Sequence, residues 1–328
     1  MGPVILDLLP GPNGLEDDEA AAVVRTAALV GGDAALTLLK RYRHHDSGNV
    51  KHALMVAWES FEAEEYMEEV LRHVHQPDRL LIVVTSAHLP VVAKMDPPEN
   101  VRFIGDFNTD QILGAVDPIR ITDLDISVNS EIRDLGFLRS FPNLRRLELF
   151  ECFLDDYSPV AELNLVHLLL HEALEGEEEG ASLHTLASLQ QLRSFHVERH
   201  IVHETLESFP LFPELRVLSV GSFCELTSLS GIEKFTRLTS LHTAVQPLAR
   251  TSPEEFAALK RLTSLTLTDL GQPGASSFDS SPTFPTYATS ASPATSDRSI
   301  SCRCSNDSPV RAPSTSLATR MRPWTSPG

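Results

Sequence analysis

The sequence is poor in the features that mark secreted, membrane-embedded or nucleic-acid-binding proteins. Four cysteines are spread unevenly over 328 residues, which argues against a disulfide framework and favours a reducing compartment. No apolar run approaches the roughly 20 residues needed to cross a bilayer, and the N-terminus lacks the basic region of a signal peptide. Lysine and arginine number 27 against 45 acidic residues, a balance that disfavours nucleic acid as the main partner. We therefore expect a cytoplasmic protein that contacts neither membrane nor nucleic acid.

Motifs of the common catalytic classes are also missing. The sequence contains no G-x-x-x-x-G-K-[ST] phosphate-binding loop, no G-x-S-x-G nucleophile turn, no H-E-x-x-H and no C-x-x-C. The helical N-terminus, which spans about 75 residues, holds no clustered acid, base or nucleophile around which a catalytic pocket would form. We predict that the chain is not an enzyme and that it uses no cofactor.

What the sequence does contain is one motif that recurs with a near-constant period. From Ile121 it reads I-x-x-L-x-I-x-x-N, and from Leu144 the pattern restarts with Cys152 in the ninth place. Such recurrence predicts a stack of structural repeats rather than a single layered domain. The predicted repeat starts are Val101, Ile121, Leu144, Leu165, Leu192, Leu215, Leu238 and Leu262, with a weaker start at Leu80.

Each repeat combines two spacings of apolar residues. Leu147 and Leu149 alternate with polar neighbours, as is typical of a short strand. From Ile132 onwards apolar residues follow at every third position, which fits a 3₁₀ turn better than an α-helix. Asn129 and Cys152 occupy a slot from which an inward side chain can bond backbone groups of the bend.

These spacings are those of leucine-rich repeats. One repeat cannot bury its apolar edge alone, but a stack of repeats shares a continuous core. We therefore expect residues 79–270 to form an α/β leucine-rich-repeat solenoid, a horseshoe with strands on the concave face and 3₁₀ turns on the convex face.

The polar positions between the strand leucines predict a protein-binding surface. Arg145, Arg193 and Arg216 recur at one place in the motif and suggest a basic stripe. Arginine favours bidentate recognition of carboxylates, although it also keeps strand surfaces soluble, and we favour the binding interpretation. The residues expected on the concave face are Arg145, Arg146, Glu148, His167, Arg193, His196, Arg216, Ser219, Thr239 and His242.

The regions flanking the repeats differ in composition. Residues 1–14 are expected to be flexible, and residues 15–78 show short helical patterns separated by tight breaks, which suggests a helical segment that caps the solenoid. Residues 271–328 are rich in serine, threonine and proline, and we predict a disordered tail because little apolar surface is there to bury. Two explanations for this tail stay open, an ordinary disordered tail and an out-of-frame or truncated product.

Two clusters of potential metal ligands have simpler explanations. His196, His200 and His203 with Glu204 follow the repeat spacing, which would direct their side chains different ways. Cys302 and Cys304 have no nearby histidine or further cysteine, and two ligands do not make a structural zinc site. We predict no metal.

A longer resemblance rests on the residues just before the repeats. Ala57 to Leu71 read A-W-x-x-F-x-x-x-E-Y-x-x-x-V-L, and repeats follow directly. Residues 48–270 thereby resemble the C-terminal part of actinobacterial NACHT–leucine-rich-repeat proteins, which are NLR-like signalling NTPases of the STAND class, some of them acting in anti-phage defence. The family places a nucleotide-hydrolysing module upstream, and that module is not in this sequence, so no nucleotide-binding residue carries over.

The resemblance implies a ligand-sensing arm. The repeats would bind a protein on the concave face, and the helical segment would couple them to an NTPase module in the same chain or in another one. The alternative is a stand-alone leucine-rich-repeat adaptor or effector-like scaffold.

Overall fold

The computed structural model describes most of the chain from the N-terminal helices to the last repeat. The described residues are 6, 8–74, 80–95, 98–154, 156–171, 183–198, 205–221, 226–244, 247, 249–269, 288–291 and 298–303.

A group of short helices precedes the repeats. Glu16 and Glu19 form a capping box at the start of the first helix, and Gly31, with a positive φ of 68° that glycine adopts readily, ends it. Trp58 and Tyr66 are fully buried, and Tyr66 Oη donates to the Leu54 carbonyl at 2.8 Å. The helices are α1 Asp17–Val30, α2 Gly32–Leu39, α3 Gly48–Val56 and α4 Ala63–Glu69, with 3₁₀ turns at Ala57–Ser60 and Leu71–His73.

The remainder is built on one sheet whose first nine strands are parallel and stand in chain order. Each strand therefore belongs to one repeat and pairs only with the repeats before and after it, as in a solenoid. The strands are β1 Leu80–Val83, β2 Asn100–Ile104, β3 Asp123–Asn129, β4 Arg146–Cys152, β5 His167–His171, β6 Ser194–Glu198, β7 Val217–Val220, β8 Ser240–Ala244 and β9 Ser264–Asp269.

The core lies behind the strands and is shared from repeat to repeat. One buried residue of each strand pairs with its counterpart on the next, and this row is Leu81, Val101, Leu124, Leu147, Leu168, Phe195, Leu218, Leu241 and Leu265. The chain is thus a leucine-rich-repeat solenoid, as the apolar spacing predicts.

Turns on the side of the core opposite the sheet complete each repeat. The central repeats use 3₁₀ turns, which confirms the prediction from the three-residue spacing: Leu135–Ser140, Ser158–Glu162, Leu183–Ser188, Leu206–Ser208 and Ile232–Lys234. Near the two ends of the array short α-helices take their place: α5 Leu89–Val92, α6 Thr109–Ala115 and α7 Pro253–Ala257.

Asn129 fills the predicted inward slot. Its Nδ2 donates to the carbonyls of Gly105 and Phe107, each at 2.9 Å, and its Oδ1 accepts from the amides of Glu131 and Ile132 at 3.0 and 2.8 Å. The side chain is fully buried. One amide group therefore satisfies four backbone groups that the bend would otherwise leave unpaired.

The predicted start of the first two repeats is wrong. Val101 pairs in register with Leu124, three motif positions later than assigned, and Leu80 pairs with Asn100. The physical reason is that Pro98, which is buried, stands where later repeats place their first leucine. Because proline is not one of the residues expected at this position, the predicted start is displaced to the next aliphatic residue, Val101.

The structure describes two short segments of the tail after the last repeat. Two segments, β10 Ala288–Ala291 and β11 Arg298–Arg303, form an antiparallel pair, and β11 pairs antiparallel with β9. These two segments do not test the predicted disorder of the tail. The rest of residues 271–328 lies outside the described residues, where the prediction stays a prediction.

Candidate protein-binding face

One face of the parallel sheet carries two continuous rows of side chains, which we call the strand face. The first row is Asn100, Asp123, Arg146, His167, Ser194, Val217, Ser240 and Ser264. The second row is Arg102, Asp125, Glu148, Leu169, His196, Ser219, His242 and Thr266. Most of these side chains are half-buried, because strand alternation directs them away from the leucines of the core.

The structure separates the predicted concave residues into two groups. Those that lie within strands, on the strand face, are Arg146, Glu148, His167, His196, Ser219 and His242. Those that stand one residue before a strand, at the edge of the sheet, are Arg145, Arg193, Arg216 and Thr239. The second group corrects the predicted position of the arginine stripe, while the binding role of both groups stays a prediction.

The edge arginines do form a row. The Arg193 amide donates to Val166, the Arg216 amide to Arg193 and the Thr239 amide to Arg216, each at 2.8 Å. Arg145 begins the row, and its Nη1 donates to the Asn164 carbonyl at 3.1 Å, in the segment that leads into the next strand. All three arginines are exposed, so the N-terminal edge of the sheet is basic.

A charged cluster occupies the first half of the strand face. Arg102 Nε donates to Asp125 Oδ2 at 2.5 Å, and Ser127 Oγ donates to the other Asp125 oxygen at 2.6 Å. Glu148 follows Asp125 in register, and its Oε2 lies 3.7 Å from Arg102 Nη2. Burial raises the pKa of Asp125, the largest of several opposing effects on that carboxyl.

Glu148, on β4, also contacts Arg146 of the same strand and His167 of β5. Its Oε1 accepts from Arg146 Nε at 3.0 Å and lies 3.2 Å from His167 Nε2. The contact with His167, aided by Arg146, lowers the pKa of Glu148 to about 2. Glu148 is therefore ionised at neutral pH, and it lies between the guanidinium groups of Arg102 and Arg146.

A shallow cavity opens over the charged cluster. It has a volume of ≈ 630 Å³ and is lined mainly by charged side chains of β2, β3 and β4, among them Arg102, Asp123, Asp125, Arg146 and Glu148. Small-molecule pockets are mostly apolar with a few polar groups. This cavity has the opposite composition, which suits a polar protein surface better than a drug-like ligand.

The second half of the strand face is less charged and rich in histidine and hydroxyl groups. His196 Nε2 lies 2.9 Å from Ser194 Oγ, and the rings of His167 and His196 are 5.1 Å apart. Burial, with help from neighbouring His167, lowers the pKa of His196 to about 4. His196 is therefore neutral at pH 7 and able both to donate and to accept hydrogen bonds.

The C-terminal ends of the strands carry aromatic and apolar side chains. Phe150 stacks on His171 with ring centroids 4.0 Å apart and planes 15° from parallel. Val128 and Phe153 are 49% and 41% exposed. The backbone turns sharply here, since Val128 and Glu151 adopt φ values of 54° and 51°.

Sequence reasoning missed part of this surface. Arg102 and Asp125 stand between core residues of β2 and β3. Correct register of the first repeats would have placed Arg102 on the strand face, and strand alternation after Ile121 already pointed to Asp125. Phe150 and His171 lie one position beyond Leu149 and Leu170, the second core leucines of their strands. Counting each strand two residues further would have placed both on the strand face.

Several predicted features lie outside the described residues: His200, His203, Glu204 and Cys304. Within the described part of the chain, no three histidine, cysteine, aspartate or glutamate side chains are grouped to hold a metal ion. In the same part, every helix falls short of the length and apolarity that a membrane crossing needs.

Comparisons with known proteins gave one kind of match. No family model matches the sequence, and no curated protein matches it. Among solved structures the chain is similar to an internalin, inlF, from Listeria monocytogenes, with 16% identity and a TM-score of 0.37. That match covers 68% of this chain and 69% of the internalin chain.

Proposed function

We propose that the protein is a non-catalytic protein-binding module that holds its partner on the strand face. The observation that carries this proposal is the unbroken pair of side-chain rows across β2 to β9. A long, shallow and polar surface of this kind suits the area and hydrogen-bonding density of a protein interface. The charged cluster and the histidine-rich second half of the strand face would contact different parts of one partner.

The charged cluster would serve as a rigid part of that interface. Arg102 is held by Asp125 of the neighbouring strand and Arg146 by Glu148 of its own strand, so their positions are set before a partner arrives. Groups that are already ordered lose less conformational entropy on binding. About half of the Arg146 side chain is exposed, so within the cluster this residue is well placed to contact a partner.

We further propose that this module is the sensor arm of an NLR-like signalling or defence protein whose NACHT NTPase lies in the same chain or in another one. The support is the A-W-x-x-F-x-x-x-E-Y-x-x-x-V-L segment, whose Trp58 and Tyr66 are core residues of the helical segment. Trp58 also stacks on His88 of the first repeat, with ring centroids 3.8 Å apart. Helices and repeats are thus joined by a firm contact through which binding would reach an NTPase. The alternative is a stand-alone adaptor.

Photo-crosslinking tests the binding proposal. A benzoylphenylalanine introduced at Ser219, in the middle of the strand face, is expected to crosslink a protein in the cells that make this chain. The control is the same residue at Ala187, an exposed position on the 3₁₀ turn Leu183–Ser188. Equal crosslinking from the two positions, or none from Ser219, would refute a partner site on the strand face.

The mass of the native product separates sensor arm from adaptor. Antibodies to the repeats would capture it from its source cells for intact mass spectrometry. A product much larger than 36.1 kDa, with phosphate-loop peptides upstream of Met1, is the result expected for a sensor arm. A product of 36.1 kDa that copurifies with no NTPase would favour the adaptor.

A further inference from the structure

We propose that the C-terminal ends of strands β3 to β5 form a docking surface for a basic protein segment that carries an apolar anchor. We call this surface the C-terminal rim and define it by Val128, Phe150, Glu151, Phe153 and His171. The inference rests on the proposed protein-binding function and names the chemistry of the partner at one edge of the strand face.

The rim offers apolar area that the fold does not cover. Val128 and Phe153 are exposed, while Phe150 lies between them in the chain, half-buried and stacked on His171 of the next strand. The stacked pair provides a flat, ordered aromatic surface. Rigid aromatic groups beside exposed apolar side chains are typical of the residues that dominate binding energy at interfaces.

The backbone at the rim is strained where it presents Val128. Gly105, Val128 and Glu151 follow register-paired residues on three adjacent strands, and all three have positive φ, of 105°, 54° and 51°. Glycine adopts this conformation freely, whereas a β-branched side chain there carries a conformational cost. Since Val128 is 49% exposed, its burial offsets little of that cost. Strain of this kind, in a side chain presented to solvent, is typical of binding sites.

The charge around the rim selects a basic partner. The segments at the C-terminal ends of β2, β3 and β4 carry the carboxylates Asp106, Glu131, Glu151 and Asp156, and within their described residues Arg133 is the one cation. Complementary charge steers association and excludes acidic competitors.

The two ends of the strands therefore differ in charge. The exposed Arg145, Arg193 and Arg216 make the N-terminal edge basic, whereas the rim is acidic and apolar. A partner segment lying along the strands would thus have one orientation, with its basic and apolar part at the rim.

Selection from a random dodecapeptide phage library, panned against the full-length chain, tests this inference. Enriched peptides are expected to be rich in lysine or arginine around an aromatic or aliphatic residue. Higher salt should weaken their binding to the chain. Their affinity should fall by about tenfold or more for a Val128→Gly, Phe153→Ser double variant, as for other apolar hot spots. Val128→Gly also relieves the backbone strain, which guards against loss of binding through unfolding.

Matched controls change exposed apolar side chains elsewhere. Leu211→Ser and Ile119→Ser remove side chains that are 54% and 65% exposed away from the rim, and the selected peptides should bind these variants as they bind the wild type. A Glu151→Asn variant keeps a residue that tolerates positive φ and should weaken binding through charge alone.

The inference is overturned if the library yields no enriched peptide, if the enriched peptides carry no net positive charge, or if the double variant binds them unchanged. Crosslinking from Ser219 does not depend on the rim. Retained Ser219 crosslinking together with a failed rim test would refute the rim inference and leave the proposed function standing.

Discussion

Asn129 shows how one side chain closes a repeat. Its amide makes four hydrogen bonds to backbone groups while fully buried, so each lost bond leaves a polar group without water. Cys152 takes the same place in the next repeat, and its Sγ contacts the Ile126 carbonyl at 3.3 Å. The thiol is a weaker partner than an amide, and burial raises its pKa to about 12, which keeps it protonated.

We expect Asn129→Ala to lower the free energy of unfolding by about 2–4 kcal/mol, because buried backbone groups lose their partners. Urea denaturation followed by circular dichroism measures this. Asn143→Ala is the matched control, since Asn143 is exposed and makes a single bond to Ile119. A loss no larger than that of the control would show that the inward slot does not close the bend.

His88 gives the fold a dependence on pH. It is 1% exposed, stacked on Trp58, and burial lowers its pKa to about 4 from an ordinary value of 6.5. Because the folded-state pKa is depressed, the folded protein resists protonation. The stabilisation is complete above pH 6.5 and is lost as the pH falls towards 4.

We expect a His88→Phe variant, which keeps a stacked ring but does not titrate, to lose less stability than the wild type between pH 6.5 and pH 4. The difference should be about 3 kcal/mol. Chemical denaturation at each pH gives both curves. Because His196 titrates in the same way in both proteins, its contribution cancels, and parallel curves would contradict a buried neutral His88.

At the scale of elements, the turns opposite the strand face hold one repeat to the next. Lys234 Nζ donates to the carbonyls of Leu206 and Phe209 of the preceding turn, at 2.5 and 2.7 Å. Gly231 has φ 93°, and a Cβ at this position would lie 2.6 Å from the Glu207 amide nitrogen. Successive turns therefore approach too closely here for any side chain.

We expect Gly231→Ala to destabilise the protein by about 2–4 kcal/mol, because strain at positive φ and a backbone clash add together. Gly114→Ala is the control with the same chemical change, since nothing lies within 4 Å of its added Cβ. Its position inside helix α6 should make that variant slightly more stable. Thermal unfolding of both variants measures this difference in stability. Equal melting temperatures would contradict the close approach of Gly231 to Glu207.

Much of the solenoid follows from sequence because its signals are local. The three-residue spacing after Asn129 predicts a 3₁₀ turn, and the turn is there. Positions that depend on neighbouring strands were harder to infer. Arg193 lies one residue before a strand, and only the pairing of β5 to β7 reveals that it stands at the edge of the sheet. The left-handed Val128 contradicts its own residue preference, so no local rule predicts it.

At the scale of the whole molecule, the helical segment and the repeats share one hydrophobic core. Trp58 is fully buried, stacks on His88 and donates from Nε1 to the Ala63 carbonyl at 3.0 Å. Because each repeat contacts only its neighbours, damage at one end of a solenoid need not spread along it. The junction around Trp58 is therefore where the helices would first separate from the repeats.

We expect Trp58→Ala to cost about 3–5 kcal/mol locally, the usual effect of removing a buried tryptophan. Hydrogen exchange followed by mass spectrometry should show faster exchange in residues 17–73 and little change in β4 to β7. The exchange rate of residues 17–73 in Trp58→Phe should lie between those of the wild type and of Trp58→Ala, because phenylalanine keeps a stacking ring. Equal acceleration along the whole chain would show that helices and repeats unfold as one unit.

The parallel strand order also makes the strand face a ruler with a fixed spacing. Neighbouring strands repeat every ~4.8 Å, so each repeat presents one side chain per row at that interval. A partner α-helix laid across the strands advances ~5.4 Å per turn, so each turn overshoots the next strand by about 0.6 Å. After three or four repeats the mismatch reaches roughly half a strand spacing. The turns of a straight helix can therefore stay in register with only a few consecutive strands. A longer partner has to bend or change conformation to remain in register.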